Sequence, residues 1–301
     1  MSSPLKMQEN VSIIKPTKPK LFWSKSLEFW GDFSKNKGAV IGGIIILFYL
    51  LMALLAPILS IHDPYQIDLS KKLQGPSLEH WMGTDDKGRD ILARILYGSR
   101  LSMGVGFAAV AFGAFFGIIM GLLAGYFGGW LDTLISRILD IMLAFPGILL
   151  ALAIISALGP SLINVTFAVG IFSIPLFARI VRGSTLETKE LEYIDAIRCL
   201  GASDRTIIFK HILPNILSPI IIQGSLRLAT AILSAAGLSF LGLGAQPPSP
   251  EWGTMLSSGR DFLFSAPYIA IFPGLAISTL VLGFNLFGDG LRDALDPRLK
   301  S

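Results

Sequence analysis

LSMGVGFAAVAFGAFFGIIMGLLAGYFGGWL, Leu101 to Leu131, runs for 31 residues without a charge. An apolar, charge-free run of about 18 or more residues reads as a membrane span. Four more such runs extend from Gly38 to Ile61, Ile141 to Ala178, Leu228 to Pro250 and Phe262 to Gly288. Across all 301 residues 52% are hydrophobic and 15% charged, with a mean hydropathy of +0.64. A soluble domain carries roughly a quarter charged residues. This patterning excludes a soluble enzyme, a disordered chain and a coiled coil. It also excludes an outer-membrane barrel, whose strands alternate polar and apolar over about 10 residues. The expectation is an all-α polytopic membrane protein.

The same run carries a packing signal. Gly113, Gly117, Gly121 and Gly125 recur every four residues and fall along one face. Small residues at that spacing let helix backbones touch, which is how helices associate where water cannot drive them together. Working outward, the second span falls within 101–126, and Gly128-Gly129 makes a tight turn. The 38 residues 141–178 are too many for one helix, and Gly159-Pro160-Ser161 breaks them. A third span is expected at about 134–158 and a fourth at about 162–182. A fifth starts near Pro214 and ends before Gly242, residues 242–262 form a loop, and a sixth covers about 266–288. Pro146, Pro175 and Pro273 should kink spans three, four and six.

The first apolar run, 38–61, is 24 residues long, about 36 Å as a helix, and crosses a core of about 30 Å with some tilt. It follows a polar stretch with seven lysines and three acids, so it reads as a retained span rather than a cleaved signal. Those lysines place residues 1–37 in the cytoplasm. Six spans then return the other end to the cytoplasm, with 17 of the 25 basic residues inside, 7 outside and Arg227 within a span. The domain plan is a tail, 1–37; the first span, 38–61; and an outer segment, 62–100. A five-helix core, 101–288, and a cytoplasmic tail, 289–301, follow. Ile91, Leu92, Ile95 and Leu96 fall at helical spacing near the end of the outer segment, flanked by Arg94 and Arg100. They predict a short helix on the membrane surface. Asp85, Asp86 and Asp90 lack the spacing of a calcium loop and read as a solvated acidic turn.

Metal and disulfide chemistry find little support. Cys199 is the single cysteine, and His62, His80 and His211 lie far apart, so no metal site is expected. The pI of about 9.2 is explained by basic segments beside the membrane, and nucleic acid is not an expected partner.

The segment GSTLETKELEYIDAIRCLGASDRTIIFKHILP, Gly183 to Pro214, is the polar interruption that carries function. Tyr193, Ala196, Ile197 and Leu200 fall at i, i+3, i+4 and i+7, an apolar stripe on a short helix. Gly201 ends that helix, and Ser203 or Asp204 can cap a second. The stripe packs either on the chain's own bundle or in a groove on a partner.

Asp195-Ala-Ile-x-x-x-Gly201, followed by Leu213-Pro214, resembles the EAA loop of binding-protein-dependent ABC importers, Glu-Ala-Ala-x-x-x-Gly-x9-Ile-x-Leu-Pro. Asp195 replaces the glutamate, Ile197 the second alanine and His211 the isoleucine. Gly83-Thr-Asp-Asp-Lys-Gly-Arg-Asp90, Ser239-Phe-Leu-Gly-Leu-Gly-Ala-Gln-Pro-Pro248 with Glu251-Trp-Gly253, and Gly288-Asp-Gly-Leu-Arg-Asp-Ala-Leu-Asp-Pro297 resemble the second permease subunit of dipeptide, oligopeptide, nickel and glutathione importers. The likeness covers the chain from about residue 20 onward.

This resemblance implies the type I ABC importer permease fold in a bacterial cytoplasmic membrane. Its partners would be a homologous second permease subunit, two ATP-binding subunits, an extracytoplasmic substrate-binding protein and membrane lipid. The loop at 186–214 would then hold the coupling helix, with Tyr193, Asp195, Ala196, Ile197, Leu200, Gly201, Ala202, Leu213 and Pro214 docking on an ATPase. The chain has no Gly-x4-Gly-Lys-Ser/Thr loop, so it is expected to bind no cofactor and catalyse no reaction, its partners using ATP and magnesium. Cargo would be dipeptides or short oligopeptides, with glutathione and nickel complexes as alternatives.

Three rival readings remain. A secondary transporter would carry midplane acids, and Asp140 is the acid inside a proposed span, three residues from Arg137 as an i, i+3 pair. A membrane enzyme would want converging histidines, cysteines or acids, and a passive scaffold would leave no chemical signature. Arg227, with Gln223 one turn before it, is a polar spot in an apolar span. Both are candidates to line the translocation path.

Overall fold

The computed structural model describes Gly31 and residues 33–295; most of the lysine-rich tail and residues 296–301 lie outside the described residues. The described residues are almost wholly helical. Nine helices of eight residues or more carry the architecture among the described residues: α1 Lys37–Leu59, α2 Ile91–Phe127, α3 Gly129–Ala144, α4 Gly147–Leu158, α5 Leu162–Lys189, α6 Glu192–Cys199, α7 Leu217–Phe240, α8 Trp252–Gly259 and α9 Tyr268–Leu295. Five of them (α1, α2, α5, α7 and α9) are long and apolar enough to cross a membrane, and α3 with α4 makes a sixth, broken span. The packed pairs include α2 with α5, α1 with α9 and α7 with both α9 and α2.

The glycine row decides how α2 meets α5. A Cβ placed on Gly113, Gly117, Gly121 and Gly125 would lie 2.7 Å from Ser173, 2.5 Å from Phe177, 2.6 Å from Val181 and 2.8 Å from Thr185, in that order. Both helices therefore repeat every four residues, and the α2 backbone rests on α5 side-chain roots and carbonyls. A second seam joins α1 to α9, where a Cβ on Gly42 would lie 2.6 Å from both the Gly283 carbonyl and the Phe287 N–H. Those glycines are more scattered and gave no periodic signal.

The third span differs from expectation. It does not kink at Pro146 but breaks there, with α3 and α4 bent by 89°. Phe145 is extended, at φ −93° and ψ 134°, as a residue preceding proline tends to be. Two ion pairs hold α3 on α5. Arg182 donates to both Asp132 oxygens at 2.6 and 2.7 Å, and Arg179 to Asp140 at 2.8 Å. Asp140 thus pairs across helices rather than with Arg137 on its own. The helices α5 and α9 continue through Pro175 and Pro273, and α9 extends to Leu295 where a polar tail from 289 was expected.

Residues 60–90 and 242–267 fold together as a head over one end of the bundle. Here the expectations of a surface helix and a solvated acidic turn both fail. Residues 91–100 are the first turns of α2, and Ile91, Ala93, Arg94, Ile95 and Leu96 are buried. Asp85 and Asp90 are 5% exposed. Asp85 accepts from the Lys87 and Arg89 N–H groups at 2.8 and 3.0 Å and from Arg89 Nε at 2.7 Å. Gly88 has φ +72° and lies against the Asp68 carbonyl, a place with no room for a side chain. Buried Arg94 donates to the carbonyls of Pro64, Pro248 and Ser249 at 3.0, 3.2 and 3.1 Å, tying the two halves of the head.

The expected loop at 242–262 contains α8. Glu251 caps it, accepting from the Gly253 and Thr254 N–H groups at 3.0 and 2.9 Å. Trp252 is fully buried; its Nε1 donates to the Ile95 carbonyl at 3.1 Å and its ring meets Tyr49 edge-on at 5.4 Å. On the surface, Lys71 donates to Glu79 at 2.5 Å, and this hydrogen bond holds Glu79 below the usual carboxylate range.

Candidate functional site

The end of the bundle opposite the head carries α6. Its first turn holds Glu192 and Asp195 and its last turn Arg198, so each charge complements the helix dipole. Arg198 donates to Asp195 at 2.8 Å on the exposed surface. Gly201 ends the helix at φ +84°, a left-handed conformation that suits glycine. Ser203, rather than Asp204, caps the next turn by accepting from the Thr206 N–H at 3.4 Å. Asp204 instead accepts from the Tyr126 hydroxyl at 2.6 Å.

One side chain that the spacing argument passed over anchors α6. Ile194 is fully buried, packed in a cluster with Leu122, Tyr126, Val181, Ile207, Ile212 and Ile216, with Ile197 against its edge. The signal was present as the i, i+3 pair Ile194 and Ile197, but the longer stripe through Tyr193 outweighed it. That stripe points mostly the other way. Tyr193 is 40% exposed, Leu200 is 86% exposed, and Ala196 is exposed between them. The helix therefore has two apolar faces, one seated on its own bundle and one bare.

The seat is rigid. Lys189 Nζ donates to the Tyr126 carbonyl at 2.6 Å, and Asn215 Nδ2 donates to the Tyr193 hydroxyl at 2.8 Å and to the His211 carbonyl at 2.6 Å. Ala202 donates its N–H to the Ile197 carbonyl at 3.2 Å, folding the chain back after Gly201. Residues Ile207–Ile212 then form a π-helical turn ahead of Leu213 and Pro214, which lie in the short helix Leu213–Asn215. This continuous helical path links α6 to the start of α7.

Gln223 and Arg227 lie one turn apart on α7. Gln223 lines an open recess of about 380 Å³ with Asn215, Ser218, Ile180 and Arg292. Arg227 is half-buried ten residues into α7, about 15 Å along it. Its guanidinium has no hydrogen bond or ion pair among the described residues. Asp140 and Asp132, the acids on the broken span, are paired with Arg179 and Arg182.

Comparison with known proteins bears on the family and the fold. Residues 117–301 match the family model described as binding-protein-dependent transport system inner membrane component, and residues 24–76 match the N-terminal TM domain of oligopeptide transport permease C. The chain is 55% identical over 274 residues to a dipeptide transport system permease protein of Alkalihalophilus pseudofirmus, covering 91% of this chain and 90% of that one. It is 51% identical over 275 residues to a glutathione transport system permease protein of Pectobacterium atrosepticum, covering 91% of each chain. Among solved structures, a chain of the MetNI methionine ABC transporter in an inward-facing conformation superposes with a TM-score of 0.54 at 21% identity. The match covers 66% of this chain and 95% of that chain, and it shows a shared fold.

Proposed function

Because the chain belongs to the binding-protein-dependent transport system inner-membrane component family, as a permease subunit of an ABC importer, we propose that it moves short peptides and is driven through α6. Dipeptides and short oligopeptides are the cargo, in line with the 55% identity to a dipeptide permease. Glutathione, itself a tripeptide, is the second reading, favoured by the 51% identity to a glutathione permease.

The observation that carries the mechanism is the bare face of α6 on a buried anchor. An apolar side chain as exposed as Leu200 loses stabilisation of up to about 1.5–3 kcal/mol relative to burial. Tyr193, Ala196 and Leu200 therefore seek a groove, and the fixed contacts of Ile194 make the helix a rigid lever rather than a loose peptide. The groove belongs to an ATP-binding subunit. Two such subunits, a homologous second permease and an extracytoplasmic binding protein complete the importer. ATP and magnesium are used by the ATP-binding subunits, and this chain supplies no catalytic residue and binds no nucleotide. Closure of the ATPases moves α6, the Ile207–Ile212 turn passes the motion to α7, and the path changes the side to which it opens. Asp195, Gly201, Ala202, Leu213 and Pro214 hold the shape of that lever. Gln223 and Arg227 line the path. The chain sits in the bacterial cytoplasmic membrane with α6 and both termini inside and the head outside.

The test is Leu200→Asp in the reconstituted complex. It adds a charge at an exposed position, so the chain should still insert and fold. Uptake of labelled dipeptide should fall by tenfold or more, and ATP turnover should lose its response to loaded binding protein. Normal uptake by Leu200→Asp would refute docking through this face.

A further inference from the structure

Three potential metal donors, distant in the sequence, meet in the head. His62 follows the end of α1, His80 lies midway through the connecting segment, and Asp90 caps α2. One ligand atom from each lies within 4.8 Å of the others. His80 Nδ1 is 2.8 Å from Asp90 Oδ2, His62 Nδ1 is 3.7 Å from the same oxygen, and the imidazole rings are 4.7 Å apart. The carboxylate divides its oxygens between two tasks. Oδ1 accepts the Ala93 N–H at 2.6 Å, which starts α2, while Oδ2 faces the histidines.

His80 is also short of partners, because Asp90 meets only its Nδ1 atom. His80 is 4% exposed, and its Nε2 has no hydrogen-bond partner among the described residues. A buried polar atom left unsatisfied is costly, so such atoms are rare. The three side chains border one cavity of about 50 Å³, with Asp63, Gln66, Asp68 and Lys71 also on its wall, the Lys71 ammonium being paired with Glu79. A space of that size admits a water or an ion beside the donors.

We propose that His62, His80 and Asp90 bind a divalent transition-metal ion of the zinc type, which clamps the end of α1 to the start of α2. Two imidazoles and a carboxylate form a nitrogen-rich set that suits zinc, whereas magnesium and calcium require mainly oxygen ligands. Bonds of about 2.0–2.1 Å in tetrahedral geometry place donors about 3.4 Å apart. The 2.8 and 3.7 Å separations bracket that spacing. His62, with its side chain 30% exposed, can turn inward to close the remaining gap without disturbing the core. Water or an acid on the cavity wall completes the coordination. The clamp would add to the hydrogen bonds that already join these elements, from Arg100 to the Ala53 and Leu54 carbonyls and from Arg94 to the Pro64 carbonyl.

The chain has only three histidines and one cysteine, which makes the test clean. The full chain is purified in detergent with a histidine-free affinity tag, stripped with chelator and titrated with Zn²⁺ against a competing chelator dye. Wild type should bind one tight zinc per chain, and so should His211→Gln. His62→Gln and His80→Gln should each lose affinity by about tenfold or more, by analogy with the loss on removing supporting groups at known sites. Zinc should raise the thermal midpoint of wild type and His211→Gln but not of His62→Gln. His62→Gln is the decisive variant, because His62 is partly exposed and the fold does not depend on its ring even if His80→Gln fails to fold. Full-affinity zinc binding by His62→Gln, or no tight zinc binding by wild type, overturns the proposal. The His80–Asp90 contact would then be only the support of a helix cap.

Discussion

Replacing Gly117 by alanine should separate α2 from α5. The added Cβ would stand 2.5 Å from Phe177 Cβ, 2.9 Å from the Ile174 carbonyl oxygen and 3.1 Å from the Ala178 nitrogen. Carbon atoms rest at about 3.5–4.0 Å, so α2 and α5 must move apart by roughly 1 Å at this level. Two of the three atoms met are backbone, so no rotamer change can relieve the overlap. The same movement loosens the contacts at Gly113 and Gly121, whose Cβ positions lie 2.7 Å from Ser173 and 2.6 Å from Val181. Overpacking of this kind costs about 1–3 kcal/mol. Gly117→Leu adds three more carbons and should cost more, to the point of lowering the yield of assembled complex. Gly104 is the internal control, on the same helix but exposed with nothing within 4 Å of its Cβ position. Gly104→Ala should stay within about 0.5 kcal/mol of wild type or gain slightly from helix propensity. The assay is reversible unfolding of the purified chain in mixed micelles, followed by helix signal as denaturing detergent is raised. Wild-type stability in Gly117→Ala, or equal damage from Gly104→Ala, would refute the seam as the place where backbone contact holds the fold.

Two further outcomes are expected. Arg227→Gln should cut peptide uptake by about 10–100-fold, the worth of a charge-assisted hydrogen bond of about 1.5–3 kcal/mol to a cargo carboxylate. Assembly and basal ATP turnover should remain, and unchanged uptake, or loss of the whole complex, would remove Arg227 from the path. In a Cys199→Ser background, cysteine at Ser77 should react with an impermeant reagent from outside, while cysteine at Glu187 should react only after permeabilisation. Both positions are exposed, so reversed reactivity would invert the proposed orientation.

The spans were legible because membrane insertion is a local requirement. A helix in hydrocarbon satisfies its own backbone, so a charge-free run long enough to cross needs no knowledge of its neighbours. The glycine row could be read for the same reason: a four-residue repeat on one helix implies one close-packed face whatever the partner is. Gly201 likewise announced a helix end, through a backbone conformation that involves only adjacent residues.

What lies between the spans obeyed a different rule. Asp85, Asp90 and Arg94 looked like solvated charges, and only the tertiary structure shows them buried, because a charge can leave water only where its partners have been brought to it. Arg94 finds those partners at Pro64, Pro248 and Ser249, two of them more than 150 residues away in sequence. The same holds for the face that α6 turns inward. Ile194 and Tyr193 are neighbours with similar claims to burial, and the cluster at Ile207, Ile212 and Ile216 selects Ile194. It also holds for the 89° break at Pro146, where proline marks the place but apolar contacts seat both halves on α5, Ile135 and Leu139 on one side and Ala151 and Ile155 on the other. Local periodicity determined which segments enter the membrane, and long-range pairing of charges and apolar side chains decided which of their faces, and which of the residues between them, are hidden.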